Sequence, residues 1–327
     1  MNRKLPLVSV VLSVYNAEVY LDEAIQSILN QTYTNFEFII INDGSTDNSL
    51  KIIKKYRNTD DRIILISREN KGLTESLNEG ILKSKGKYIA RMDADDISMP
   101  KRFEAQVEFL ELNIDVGICG TWVEVFGQNL KTNIWKLSTH NSRLKTELVF
   151  SSCFAHPSVM IRKDVLINNK LSYDKKYPNA EDFQLWTELA DLTNFANINK
   201  VLLKYRVLET SITRIADKNN EEREKIIYKI LNHYLQKLEL SNTTEEDILH
   251  YNLSVNSRMK INDISFDELK RYFKKLELAN NNKNIFNSNE LKKVLGKKWF
   301  WNIIYRKNLK AIFSKYFLYG VWGILTK

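Results

Sequence analysis

"KYIARMDADDISMP", residues 87–100, decides how the rest of the chain is read. An apolar run leads into Arg91, and three carboxylates follow within four positions: Asp93, Asp95 and Asp96. Carboxylates this close repel one another unless positive charge sits among them. A buried strand that ends in a polar loop is how open α/β sheets present a ligand site, at the carboxyl end of the strand.

The preceding residues repeat that form. "LVSVVLSV" (7–14), "FEFIIIND" (36–43), "RIILIS" (62–67) and "KYIARMD" (87–93) are near-continuous apolar runs, which predict buried strands. Between them, "EVYLDEAIQSILNQ" (18–31), "STDNSLKIIKKY" (45–56) and "GLTESLNEGILKSK" (72–85) have helical spacing, the second with Ser45 as its cap. "MPKRFEAQVEFLEL" (99–112) reads as a helix with proline in its first turn. Strand and helix thus alternate four times, which predicts the α/β class: a doubly wound, mainly parallel sheet covered on both faces. The clusters "YNAE", "DGSTD", "RENKG" and "DADD" all fall at carboxyl ends of strands and converge on one site.

After about residue 116 the pattern loosens. "VGICGTWVEVFG" and "VLLKYRV" (201–207) read as strands, "HPSVMIRKDVL" (156–166) as a strand running into a turn, and "AEDFQLWTELADL" (180–192) as a helix. From about 213 the chain reads as helical, with "LANNNKNIFNSNE" (278–290) as a loop. The expected division is a catalytic domain, 1–212, and a helical C-terminal region, 213–327.

Composition narrows the class. The 327 residues are 43% apolar and 11% aromatic, enough for one large globular domain or two. Cys119 and Cys153 lie in apolar runs and read as buried free thiols, which suits a reducing compartment. The formal charge is +9, and residues 283–327 hold ten Lys+Arg against Glu290 alone, so the remainder is neutral. The N-terminus lacks a small-residue cleavage site, and no apolar run approaches the roughly 18–20 residues of a membrane span. A cytoplasmic protein is expected.

Neither GxGxxG nor GxxxxGK[ST] occurs. A dinucleotide or a P-loop triphosphate is therefore disfavoured. Acidic loops hold a nucleotide differently: Asp43 accepts hydrogen bonds from a base or ribose, and the 93–96 cluster suits a divalent cation bringing a diphosphate.

"VSVVLSVYNAEVYLDEAIQSILNQTYTNFEFIIINDGSTDNS", "NKGLTESLNEGILKSKGKYIARMDADD" and "AEDFQLW", in this order, resemble the family-2 glycosyltransferases of GT-A fold over about residues 6–210. The resemblance implies an inverting, metal-dependent enzyme that moves a sugar from a nucleoside diphosphate sugar, UDP-linked, to a hydroxyl of a glycan or lipid-linked acceptor. It implies nucleotide-sugar contacts at Ser13, Tyr15, Asn16, Glu18, Asp43, Asn70, Gly72, Arg91, Asp93 and Asp95. Mn2+ or Mg2+ would sit on Asp95 and Asp93, with Asp182 as general base. Glu181, His156 and Trp186 would face the acceptor. Apart from the resemblance, Arg206 on the last strand reads either as a plain structural residue or as one that reaches the diphosphate.

Plainer readings stand beside these: Tyr15 and Trp186 as packing aromatics, Glu18 as a cap of the first helix, and Asn70–Gly72 as a turn. Asp96 reads as a cap of the next helix, Arg91 as a structural ion pair, and His156 as structural. A sugar nucleotidyltransferase would use a similar sheet but needs a Gly- and basic-rich loop where "SVYNAE" stands.

In the tail, a helix over 304–316 would put Ile304, Leu309, Ile312 and Phe313 on one side and Arg306, Lys307 and Lys310 on the other. Lys315 and Asn308 interrupt the apolar side. The pattern fits an anionic membrane surface, with peripheral attachment to the inner face of the plasma membrane, and equally a helix packed on the catalytic domain with a basic outer face. A non-enzymatic nucleic-acid binder would also use such a tail, but no nucleic acid is expected, because the four strand-end clusters would then have no purpose.

Overall fold

A computed structural model describes residues 5–127, 130–208, 220–255 and 265–326. The expected domain boundary at 212/213, and the start of the helical region at 213–219, lie outside the described residues. The chain forms two compact units, residues 1–137 with 154–215 and residues 138–153 with 216–327.

In chain order the first unit begins β1 (Val8–Val14), α1 (Leu21–Leu29), β2 (Phe36–Asp43), α2 (Ser49–Arg57), β3 (Ile63–Arg68), α3 (Leu73–Lys83), β4 (Tyr88–Met92), β5 (Ile97–Ser98), α4 (Arg102–Leu112), β6 (Val116–Gly127) and β7 (Asn133–Trp135). After α5 (Asn141–Glu147), which belongs to the second unit, it resumes with β8 (Met160–Arg162), α6 (Lys163–Asn168), α7 (Glu181–Leu189) and β9 (Asn194–Val207). One sheet runs β3-β2-β1-β4-β8-β6-β9-β5, with β7 beside β6. The first four strands are mutually parallel, whereas β8 is antiparallel to both β4 and β6.

Every residue of β2 is buried, as its apolar run requires of a strand covered on both faces. Ile39, Ile40 and Ile41 have no exposure, and each contributes about 2 kcal/mol of burial. The chain steps outward from β1 to β2 and β3, then returns to the other side of β1 with β4. That reversal opens a crevice between the carboxyl ends of β1 and β4, where such sheets bind ligands.

Several boundaries differ from expectation. The second helix starts at Ser49, not at Ser45. The fourth starts at Arg102, so Pro100 precedes it, and the Pro100 carbonyl accepts the Thr32 N–H at 2.9 Å. After β8 the chain enters a helix, α6, rather than a turn. Cys119 and Cys153 are buried thiols without a disulfide.

The second unit adds α8 (Asn220–Leu235), α9 (Thr244–Ser254), α10 (Phe266–Lys283), α11 (Ser288–Arg306) and α12 (Lys315–Leu325). Capping boxes at Thr243/Glu246 and Ser265/Glu268 open α9 and α10. The stretch expected as a loop, 278–290, is mostly helical, and 284–287 alone links α10 to α11. Its asparagines are ties: the Asn280 side chain donates to the Phe286 carbonyl at 2.9 Å and accepts its N–H at 2.8 Å. Nor is there one helix over 304–316. Lys307 takes φ 52°, ends α11, and a 3-10 turn at Leu309–Phe313 leads into α12.

His250 is 1% exposed at the centre of this unit. It hydrogen-bonds the Val149 carbonyl through Nε2 at 2.7 Å and the Tyr272 hydroxyl through Nδ1 at 2.9 Å, and it stacks on Phe150. Burial holds its pKa down, to about 4, so the ring stays neutral in the fold. The unfolded chain takes up that proton near pH 6.5. Stability should therefore be full above about pH 6.5 and fall by on the order of 3 kcal/mol as pH drops to about 4. Urea unfolding of the wild type and of His250→Gln across this range checks it. The variant should lack this part of the slope, even with a lower plateau.

Candidate active site

The loops after β1 and β2 are laced together through backbone N–H groups. Asn16 donates its N–H to Ser45 Oγ at 3.1 Å, and its side chain accepts the Thr46 N–H at 2.8 Å. Ala17 N–H reaches Ser49 Oγ and Glu18 N–H reaches Asp47, at 2.9 and 3.0 Å. Glu18 in turn accepts the Asn48 N–H at 2.8 Å. Glu18 thus holds Asn48, the residue ahead of the second helix, and does not cap the first, and Ser45 ties the loops rather than starting a helix. Tyr15, at the mouth of the crevice, is 55% exposed, which leaves its ring available rather than packed. Ser13 is half-buried near the end of β1.

Asp43, 2% exposed, ends β2 and organises the next loop. It pairs with Arg68 and accepts the N–H groups of Lys71 at 2.8 Å and Gly72 at 2.9 Å. Gly44 makes the approach possible: at φ 73° an added Cβ would stand 2.6 Å from the Asn70 backbone nitrogen. Asn70 is exposed on that loop. Arg68, which sequence reasoning missed, also bonds Glu79 at 2.7 Å and Ser76 at 3.0 Å. Its only trace was the strand-end cluster "RENKG".

The acidic loop follows β4. One ligand oxygen each of Asp93, Asp95 and Asp96 lie within 4.8 Å of one another. Arg91, 5% exposed, pairs with Asp93, while its Nε has no partner. Asp96 is 1% exposed: one oxygen accepts the Arg206 N–H at 2.8 Å, and Oδ2 is buried without a partner. Asp96 lies ahead of β5 and caps no helix. Burial, then the charge of Asp93, pushes the Asp95 carboxyl up to about 6. Burial and both neighbouring acids push Asp96 well above the ordinary carboxylate range. Arg206, for which a diphosphate contact is one reading of the sequence, is committed to the loop itself. Its guanidinium donates to the Asp95 carbonyl at 2.7 Å, pairs with Glu23, and lies between the rings of Tyr20 and Phe126. These carboxylates fit a divalent cation by donor type, by spacing and by the orphaned Asp96 oxygen.

Glu181 and Asp182 open α7. Glu181 is 5% exposed, and burial followed by the Asp182 charge raises its carboxyl to about 7, with Asp93 adding to the rise. The charges of Arg91, Asp182, Glu181 and Asp93 are all felt at buried Tyr173. Tyr173 was not singled out from the sequence, since "LSYDKKYP" carries no periodic signal. Its hydroxyl meets His156 Nε2 at 2.8 Å, and burial keeps His156 neutral. Trp186 is fully buried against Phe154 and His156, so it offers no ring face to a sugar and is core.

A family model described as Glycosyl transferase family 2 matches residues 9–169. An uncharacterized glycosyltransferase of Haemophilus influenzae is 38% identical over 244 residues, 71% of this chain and 76% of that protein. The O-antigen biosynthesis glycosyltransferase WbnJ of Escherichia coli is 35% identical over 219 residues, 65% of this chain and 85% of WbnJ. Among solved structures, S. aureus TarS 1–349 in complex with UDP-GlcNAc has TM-score 0.60 at 16% identity, covering 94% of this chain and 91% of that one. The mannosyltransferase PcManGT of Pyrobaculum calidifontis, in complex with GDP-Man and Mn2+, has TM-score 0.52 at 14% identity, covering 93% and 88%. At such identities the structural likeness speaks for the GT-A fold alone. Identity sustained over most of a relative's length speaks for descent, and the chain belongs to glycosyltransferase family 2.

Proposed function

We propose that this glycosyltransferase moves a sugar from a UDP-linked donor to a hydroxyl of a glycan or lipid-linked acceptor, with inversion, in the synthesis of a surface polysaccharide. The observation that carries the reading is that two sets of acids are felt at one buried residue. The charge of Asp93, from the loop at the sheet's switch point, and those of the Glu181–Asp182 pair all bear on Tyr173, and Asp93 also raises the Glu181 carboxyl. The UDP-GlcNAc in TarS and the O-antigen role in the name of WbnJ support the donor and the product class. A cytoplasmic enzyme, peripheral on the membrane, suits a lipid-linked acceptor.

The nucleoside would lie across the laced loops, with Tyr15, Asn16 and Asn70 beside it. Asp43 Oδ1 is filled by Arg68 and Lys71, but Oδ2 takes Gly72 alone and keeps a lone pair for a base or ribose donor. Asp93, Asp95 and Asp96 would hold Mn2+ or Mg2+, which when bound neutralises charge on the departing diphosphate. Arg91 Nε, buried without a partner, suits a phosphate oxygen. Asp182 takes the proton from the acceptor hydroxyl as that oxygen bonds to the anomeric carbon. The carbon–oxygen bond to the diphosphate breaks on the opposite face, and its electron pair leaves with the diphosphate. Glu181, protonated over much of the range below about pH 7, donates a hydrogen bond that orients the acceptor.

Asp182→Asn should keep stabilisation by UDP in a thermal shift assay and lower kcat by about 10²–10⁴-fold. A variant with near wild-type turnover would place the base elsewhere. Asp95→Asn should abolish the extra stabilisation that UDP confers with Mn2+. If no nucleoside diphosphate stabilises the wild type with either metal, the donor reading fails. The pH profile of kcat/KM should decline above about pH 7 as Glu181 loses its proton, and Glu181→Gln, which keeps a donor, should flatten that limb.

A further inference from the structure

The second unit exposes a face that its own packing does not use. α11 and α12 meet backbone to backbone. A Cβ at Gly296 would run into the Gly320 backbone and one at Gly320 into the Gly296 carbonyl, and Gly323 abuts Lys293. Tyr316 is fully buried, with its hydroxyl on Glu277 at 2.7 Å. The inner side of α12 is thereby fixed, and so is its outer side. Leu318, Trp322 and Leu325 are 66%, 37% and 78% exposed. At 100° per residue they fall within an arc of roughly 60°. The turn before α12 adds Leu309 and Phe313, 73% and 90% exposed. One exposed leucine is ordinary, but with Ile312 and Ile324 seven large apolar side chains are exposed within residues 309–325, a surface that needs an occupant.

Charge selects the occupant. Residues 291–327 hold nine Lys+Arg and no acid. Lys307 and Lys310 are exposed on the turn among the apolar residues. Beside the apolar arc, Lys315 and Tyr319 open onto a cavity of about 310 Å³ shared with Lys274 and Lys292, and its one acid, Glu277, is paired with Lys315 at 2.8 Å. A second copy of this chain would bring like charge against like. A polynucleotide would leave the apolar arc in water. No described helix is long and apolar enough to cross a membrane, and α12, of 11 residues, is about 16 Å long against a hydrocarbon core of about 30 Å. A basic, aromatic-rich helix of that length lies in the plane of a bilayer interface.

We infer that the 309–325 face docks on an anionic membrane, with Phe313, Leu318, Trp322 and Leu325 entering the interface and Lys307, Lys310 and the lysine-lined cavity meeting lipid phosphates. This deepens the membrane setting proposed above and does not depend on the chemistry of the acidic loop. The full chain is floated with vesicles of phosphatidylcholine with and without phosphatidylglycerol. Binding should require phosphatidylglycerol and weaken with salt. Both Phe313→Glu/Leu318→Glu and Lys307→Glu/Lys310→Glu should lower it at least about tenfold, with unfolding midpoint and UDP stabilisation unchanged. Binding that is absent, indifferent to lipid charge, or unaffected by either pair overturns the inference. So does self-association that Leu318→Glu abolishes, or oligonucleotide binding lost only with the lysine pair. An active enzyme indifferent to vesicles sinks this inference alone, while an inactive one that binds vesicles sinks the proposed transfer alone.

Discussion

The crowding of three carboxylates at the carboxyl end of one strand governs the first unit. Three carboxylates share a space less than 5 Å across, beside a crevice that the winding of the sheet creates. Arg91 pairs with Asp93 from the strand, and Arg206 holds Asp95 and Asp96 through its side chain and backbone. Two guanidinium groups and a backbone N–H position the loop, yet Asp95 and Asp96 still hold their protons more tightly than ordinary acids. The fold has placed the acids without neutralising them.

Asp43 shows the contrast. It is as buried as Asp96, but it meets a guanidinium and two backbone N–H groups directly. The same residue type at equivalent strand ends is thus held in two states. Both Asp43 oxygens carry hydrogen bonds and shape a loop, whereas Asp96 Oδ2 is buried without a partner. That difference, more than the number of acids, separates a binding scaffold from a charge-handling centre.

The parallel half of the sheet was legible because its strands are apolar on both faces and its helices are regularly patterned. The four polar clusters were legible because alternating strands and helices place them at one edge. What escaped depends on partners distant in sequence. Arg68 matters through Asp43 and Tyr173 through His156, and no local pattern encodes such pairs; Arg206 stood out as a residue, but its bond to Asp96 did not. Trp186 illustrates the converse, since one helical turn from Asp182, the proposed base, leads into the core. In the tail, asparagines taken as loop signals tie helix ends, and glycines that favour no helix by propensity let two helices touch.

The bond from Arg206 to Asp96 spans 110 residues. It also lies on the last strand of the sheet, which pairs with β6 and β5. A nascent chain leaving the ribosome can therefore form its first four strands while the acidic loop still lacks the arginine that braces it. Long-range pairing of this kind is slow relative to local structure. The acidic loop is fully braced only when β9 has docked.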